Sequence, residues 1–86
     1  MYPENKQQLT VLFRELRGKE PTSVDLDALA SRIEALGPTA QRALAIRYGL
    51  DGEEPRNLEE AAKKMGVTRE RVRQLTEKAL AQLKGE

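Results

Sequence analysis

Apolar residues recur along this chain at the three- and four-residue steps of helices, in blocks separated by glycine, proline and short polar stretches. Leu9, Leu12, Phe13 and Leu16 line one face, with Pro3 near the start and Gly18 just past Arg17, which predicts a first helix from about Glu4 to Arg17. Pro21, Thr22 and Ser23 read as a linker. Leu26, Leu29, Ala30, Ile33 and Leu36 then mark a second amphipathic helix, capped by Ser23 or Asp25 and ending at Gly37. Pro38 suits the first turn of a third helix, where its missing N–H costs nothing; Ala40, Ala43, Leu44 and Ile46 supply its apolar side before Gly49 stops it.

The stretch from Leu50 to Arg56 is acidic and rich in turn formers. Asn57 with Glu60 three residues on has the form of a capping box, opening a short fourth helix that buries Leu58, Ala61, Ala62 and Met65 and breaks at Gly66. Thr68 suits the N-cap of a fifth helix whose stripe of Val72, Leu75, Ala79 and Leu83 must face a core. Two short helices cross tightly when the contact residue is small and the turn accepts positive φ, which Ala62 and Gly66 provide, and Val67, Val72 and Leu75 then pin the second helix onto the first. The pattern predicts an all-α fold, a small bundle of about five helices ending in a helix-turn-helix at about residues 57–84. Residues 1–20 form an N-terminal amphipathic helix and residues 21–86 the main unit.

Composition narrows the chemistry. With Phe13 the sole phenylalanine, Tyr2 and Tyr48 the tyrosines and no tryptophan, a core must be built from aliphatic side chains, which suits helices better than a sandwich or barrel. The 86 residues contain neither cysteine nor histidine, so there is no disulfide framework, thiolate nucleophile or imidazole base, and an enzyme is not expected. No cofactor, metal or small-molecule substrate is implied. The polar N-terminus lacks an apolar leader and no run approaches a membrane span, so the expectation is a cytoplasmic protein with no membrane partner. A formal charge of +1 argues against a protein that merely coats nucleic acid. Its distribution matters more: Arg69, Arg71, Arg73, Lys78 and Lys84 outnumber Glu70, Glu77 and Glu86 beyond Val67, while the rest is slightly acidic.

Stepping about 100° per residue from Val72 puts Glu70, Gln74 and Glu77 opposite the core, with Arg73 beside them, Arg69 on one flank and Arg71 and Lys78 on the other. Arginine and glutamine make bidentate contacts to guanine and adenine edges, and a glutamate accepts from the cytosine amino group. The arginines fall at the N-terminal end, which is the end that enters a groove. The structural alternative is a helix-surface ion pair from Arg73 to Glu77.

These residues resemble region four of bacterial primary sigma factors, the promoter-specificity subunits of RNA polymerase. The likeness runs from about Leu36 to Leu83 without an evident gap. It passes through Arg47-Tyr48-Gly49-Leu50 and Leu58-Glu59-Glu60, is strongest over Val67-Thr68-Arg69-Glu70-Arg71-Val72-Arg73-Gln74, and continues in Lys78-Ala79-Leu80. The resemblance implies double-stranded promoter DNA as a partner, with Arg69, Glu70, Arg73 and Gln74 facing bases of a minus-35 element. Thr68, Arg71 and Arg47 would hold phosphates, as would Asn57 at the start of the fourth helix. It also implies docking on the flap of the polymerase β subunit, through a groove for which Leu26, Leu29, Ile33, Leu44, Ile46 and Leu50 are candidates; the alternative is that these six simply form the core. An anti-sigma factor or an activator is a further partner of the kind the family takes.

The chain departs from the family in places. Ala81 and Gln82 occupy part of a stretch that is commonly basic and meets activators, and Thr39-Ala40 stand where Arg-Glu is common. The aromatic-rich regions that capture unstacked bases are missing, so the expectation is a promoter reader that does not open promoters alone. Two other functions fit the pattern: a dimeric helix-turn-helix repressor independent of polymerase, paired through the first helix, and a polymerase or anti-sigma interaction module with little DNA binding. The first helix itself packs on the same domain, forms a dimer seam, or docks on polymerase or an inhibitor, and Val11 lies off its main stripe.

Overall fold

Why the chain turns where it does is visible at each junction. The computed structural model describes residues 6–84, which form α1 (Lys6–Arg17), α2 (Ser23–Glu34), α3 (Pro38–Tyr48), α4 (Leu58–Met65) and α5 (Arg69–Lys84). The expected start of the first helix at Glu4 lies outside the described residues. Leu9, Leu12 and Phe13 are buried and Leu16 is half-buried, and α1 ends where the Gly18 N–H donates to the Arg14 carbonyl at 2.7 Å.

Two expectations about α2 are corrected. Its N-cap is Thr22, not Ser23 or Asp25: the Thr22 hydroxyl accepts from the Asp25 N–H at 3.1 Å, while the Asp25 carboxylate accepts from the Thr22 N–H at 3.0 Å. This reciprocal pair makes Asp25 the third residue of the helix, and Ser23 the first. The helix also stops at Glu34 rather than Gly37. Proline disfavours helical geometry in the residue before it, and Gly37 accordingly sits at φ −59°, ψ 152° ahead of Pro38. The Leu36 N–H still reaches the Ile33 carbonyl at 3.0 Å, and this last tightened turn keeps Leu36 buried.

The third helix buries Ala43, Leu44, Ala45 and Ile46 in succession, so it is apolar on more than one face and belongs at the centre. It ends at Gly49, φ 71°, where a Cβ would stand 2.5 Å from the Glu53 carbonyl oxygen. Glycine is required there twice, by the left-handed backbone and by the loop packed over it. In that loop Glu53 pairs with Arg56 and, at 3.3 Å, with Lys64 of α4, which ties the turn to the next helix.

Two apolar clusters hold the elements together. The larger joins Leu9, Leu12 and Phe13 of α1 to Leu29 and Ile33 of α2, Leu44 and Ala45 of α3, and Ala79 and Leu83 of α5, with Leu36 and Leu50 from the connections. The smaller consists of Ile46, Ala61, Ala62 and Val72, with Leu58 and Met65 half-buried against it, and fixes the first turns of α5 onto α4. Ala61 and Ala62 allow this close approach, as the small contact residue predicts. Val67 does not pin the pair: it is 38% exposed, because it lies in the turn with its N–H directed to the Ala62 carbonyl at 3.1 Å.

Candidate nucleic-acid interface

The turn between α4 and α5 is built from backbone needs. Asn57 caps α4 by accepting from the Glu60 N–H at 2.8 Å, and Glu60 returns the bond to the Asn57 N–H at 3.2 Å. Gly66 takes φ 72° and closes α4 through the Ala62 carbonyl at 2.8 Å. Two residues later the Thr68 hydroxyl accepts from the Arg71 N–H at 3.0 Å and starts α5. Since each cap fixes where its helix begins, the side chains of the first two turns of α5 are fixed as well.

Val72, Leu75, Ala79 and Leu83 are buried, and Arg69, Glu70, Arg71, Arg73, Gln74, Glu77 and Lys78 are exposed. The predicted stripe is therefore the one observed, with Thr76 added. Thr76 lies on the same inward face, 6% exposed, with no hydrogen-bond partner for its hydroxyl. Its polarity hid it from the apolar pattern, although it is four residues past Val72 and three before Ala79. Thr68, Arg69, Glu70 and Arg73 line a shallow groove together with Leu58 at the start of α4.

Within that groove the charges are not free. Arg73 donates from Nε to Glu70 at 3.0 Å, from Nη2 to the other Glu70 oxygen, and from Nη1 to Glu77 at 2.7 Å. These bonds lower the Glu70 carboxyl below its ordinary value, chiefly through the Arg73 hydrogen bond, and raise the Arg73 guanidinium, chiefly through Glu70 and then Glu77. The helix-surface pair between Arg73 and Glu77 is thus present, and it coexists with an exposed position on the face shared by the residues expected to read bases.

Four residues expected at phosphates divide. Thr68 and Arg71 are exposed at the start of α5, and Asn57 is exposed at the start of α4 with its side-chain oxygen engaged in the cap. Arg47 is half-buried: its Nη1 donates to the Arg56 carbonyl, its Nε is buried without a partner, and its guanidinium carbon lies 6.0 Å from the Tyr48 ring centroid. Arg47 therefore braces the loop before α4.

Of the six residues expected to line a docking groove, Leu29, Ile33, Leu44, Ile46 and Leu50 are buried, and Leu26 is half-buried. In this structure these residues form a core, the alternative given above. Leu29, Ile33, Leu44 and Leu50 share one cluster with the apolar stripe of α1, and Ile46 belongs to the cluster under the helix-turn-helix.

Sequence reasoning missed two cations that act across the fold. Arg17 at the end of α1 donates to the Leu83 carbonyl at 3.4 Å, and Arg32 of α2 donates to the Gln82 carbonyl at 3.1 Å, both in the last turn of α5. Arginines in the last turns of α1 and α2 are visible in sequence, but nothing there says that a third helix ends beside them. Among the described residues no group of three carboxylates could hold a metal ion, and no helix is long and apolar enough to cross a membrane.

The family described as "Sigma-70, region 4" matches residues 32–85. The RNA polymerase principal sigma factor HrdC of Streptomyces coelicolor is 43% identical over 70 residues, covering 77% of this chain and 21% of the relative. The RNA polymerase sigma factor SigA of Clostridium acetobutylicum is 41% identical over 58 residues, covering 67% of this chain and 15% of the relative. The chain thus spans about a fifth or less of the length of these relatives. No solved structure matches it. With the match extending over α3, α4 and α5, and over more than half of the sequence, the chain belongs to the sigma-70 region 4 family.

Proposed function

We propose that this domain is a sequence-specific, non-catalytic transcription initiation factor or regulator that reads a minus-35-type promoter element with α5 and docks on RNA polymerase. One observation carries the reading: Arg69, Glu70, Arg73 and Gln74 are exposed together on the first two turns of α5, while Val72, Leu75, Ala79 and Leu83 anchor the opposite side. A helix held in this way offers base-edge donors and acceptors from a fixed scaffold, which direct readout in the major groove requires. Arg71 and Thr68 flank it as phosphate contacts, and Asn57 brings the start of α4 to the backbone.

Docking on the β flap is the second half of the reading, supported by the likeness to two RNA polymerase sigma factors. Leu29, Ile33, Leu44 and Leu50 are buried in the cluster that the α1 stripe completes, so an apolar flap helix meets them only through a rearrangement that exposes them, such as α1 swinging aside about the linker at Gly18. Pairing of two copies through α1 is disfavoured by the same burial, because Leu9, Leu12 and Phe13 already face their own chain.

The test is fluorescence anisotropy of a labelled minus-35 duplex, titrated with the protein in the presence and absence of core RNA polymerase. Sequence-dependent binding in either condition is expected. Binding in neither defeats the reading, and association with polymerase without any duplex affinity replaces it with the interaction-module function.

A further inference from the structure

Arg73 lies between two carboxylates of its own helix, Glu70 three residues before it and Glu77 four residues after it. A guanidinium has five N–H donors in a rigid planar fork. Nε and Nη2 each give one to Glu70, and Nη1 gives one to Glu77 at 2.7 Å. One N–H therefore remains on Nη1 and one on Nη2, enough donors for the N7 and O6 acceptors of guanine.

Two consequences follow from the clamp. A guanidinium tied at three donors has little rotamer freedom left to lose when it meets a base, so its orientation costs less on binding. The two carboxylates also carry more negative charge than one arginine cancels, so this part of the face repels phosphate unless base acceptors compensate. Exposed helix-surface ion pairs add little to stability, so a purely structural pair would leave DNA preference unmoved.

We propose that Glu77 is a specificity-determining positioning residue: together with Glu70 it fixes the guanidinium of Arg73 for one base, and its charge suppresses binding to all other sequences. This rests on α5 being the base-contacting helix, a reading in which Glu77 itself contacts nothing on the DNA.

The experiment uses the full chain as wild type, Glu77→Ala and Glu77→Gln. Each is offered a library of randomised duplexes; the enriched duplex, its single-base-pair variants and a scrambled duplex are then titrated. Wild type is expected to discriminate at one G·C pair by roughly tenfold or more. Glu77→Ala should lose most of that discrimination at that pair alone and bind scrambled DNA several-fold more tightly. Glu77→Gln, whose amide oxygen still accepts from Nη1 without charge, should keep the discrimination and share the gain on scrambled DNA. Identical base preference in wild type and Glu77→Ala overturns the proposal, and a Glu77→Gln that behaves like Glu77→Ala at the selective pair overturns the positioning role. Wild-type protein that enriches no sequence defeats the base-reading assignment itself, a failure distinct from the first two, and the proposal falls with it.

Discussion

Arg71 and Arg73 are two residues apart on one helix and are expected to do different work. Arg73 is braced by carboxylates on the face shared with Glu70 and Gln74, whereas Arg71 lies toward the flank with its backbone N–H committed to the Thr68 cap. Arg73→Ala should relax base preference at one position, with roughly a tenfold loss or more on the preferred duplex. Arg71→Ala should weaken all duplexes alike and lower the slope of log affinity against log salt by about one. Titrations of matched and scrambled sites at several salt concentrations check this, and equal losses from both variants would refute the division. Thr76 makes a prediction about the inward face: its hydroxyl is buried without a partner, so Thr76→Val should stabilise the domain by about 1 kcal/mol, read from urea unfolding. The direction in which these residues point was legible in sequence because a helix converts residue spacing into direction. Thr76 was not, because polarity and burial disagree there.

Helices were legible wherever a local stop or start signal acts alone. Gly18, Gly49 and Gly66 each take the left-handed conformation that ends a helix, and Asn57 and Thr68 each cap one. The end of α2 was misplaced because Leu36 continues the apolar spacing past the helix that generated it; Pro38 dictates the geometry of Gly37, and burial keeps Leu36 inward in a non-helical turn. The burial of the docking candidates was not legible for a different reason. Periodicity assigns Leu29, Ile33 and Leu44 to inward faces but does not say which neighbours bury them, and here the stripe of α1 shares their cluster. At the α3–α4 junction the expected outcome is sharp: Gly49→Ala should destabilise by more than about 1 kcal/mol, since positive φ and the Glu53 carbonyl act together, whereas alanine at Gly52, where nothing stands within 4 Å, meets only the backbone term. Parallel urea titrations of the two variants decide it.

For the whole molecule, the charge pattern sets the response to pH. The carboxyls of Asp25, Glu53 and Glu70 are held below their ordinary values, by the Thr22 backbone N–H, by Arg56 and Lys64, and by Arg73 respectively. A carboxyl with a depressed folded value contributes stability that is present above the ordinary carboxylate range and lost as pH falls through the folded value. Tyr48 is shifted the other way, raised by burial and then by Glu15, so its contribution is complete below the ordinary tyrosine range and is lost as pH rises through the folded value. With no histidine or cysteine in the chain, side-chain titration leaves a broad plateau between about pH 5 and pH 9. Thermal unfolding across that interval should give a nearly constant midpoint, falling gradually on the acid side because the paired carboxylates are exposed. A sharp step near neutrality would contradict it.

The two guanidiniums at the far end of α5 have a mechanical meaning. Helix ends ordinarily fray, but Arg17 and Arg32 hold the Leu83 and Gln82 carbonyls from two other helices, so α5 is moored at its stern while its bow carries the turns proposed to read DNA. Thrust on the reading turns is then carried into α1 and α2 instead of dissipating in a loose tail. Amide hydrogens in the last turn of α5 should exchange slowly, and Arg17→Ala with Arg32→Ala should quicken them while leaving those beside Val72 unchanged. The helix that completes the larger cluster, α1, is in this sense also one mooring of the helix proposed to face DNA.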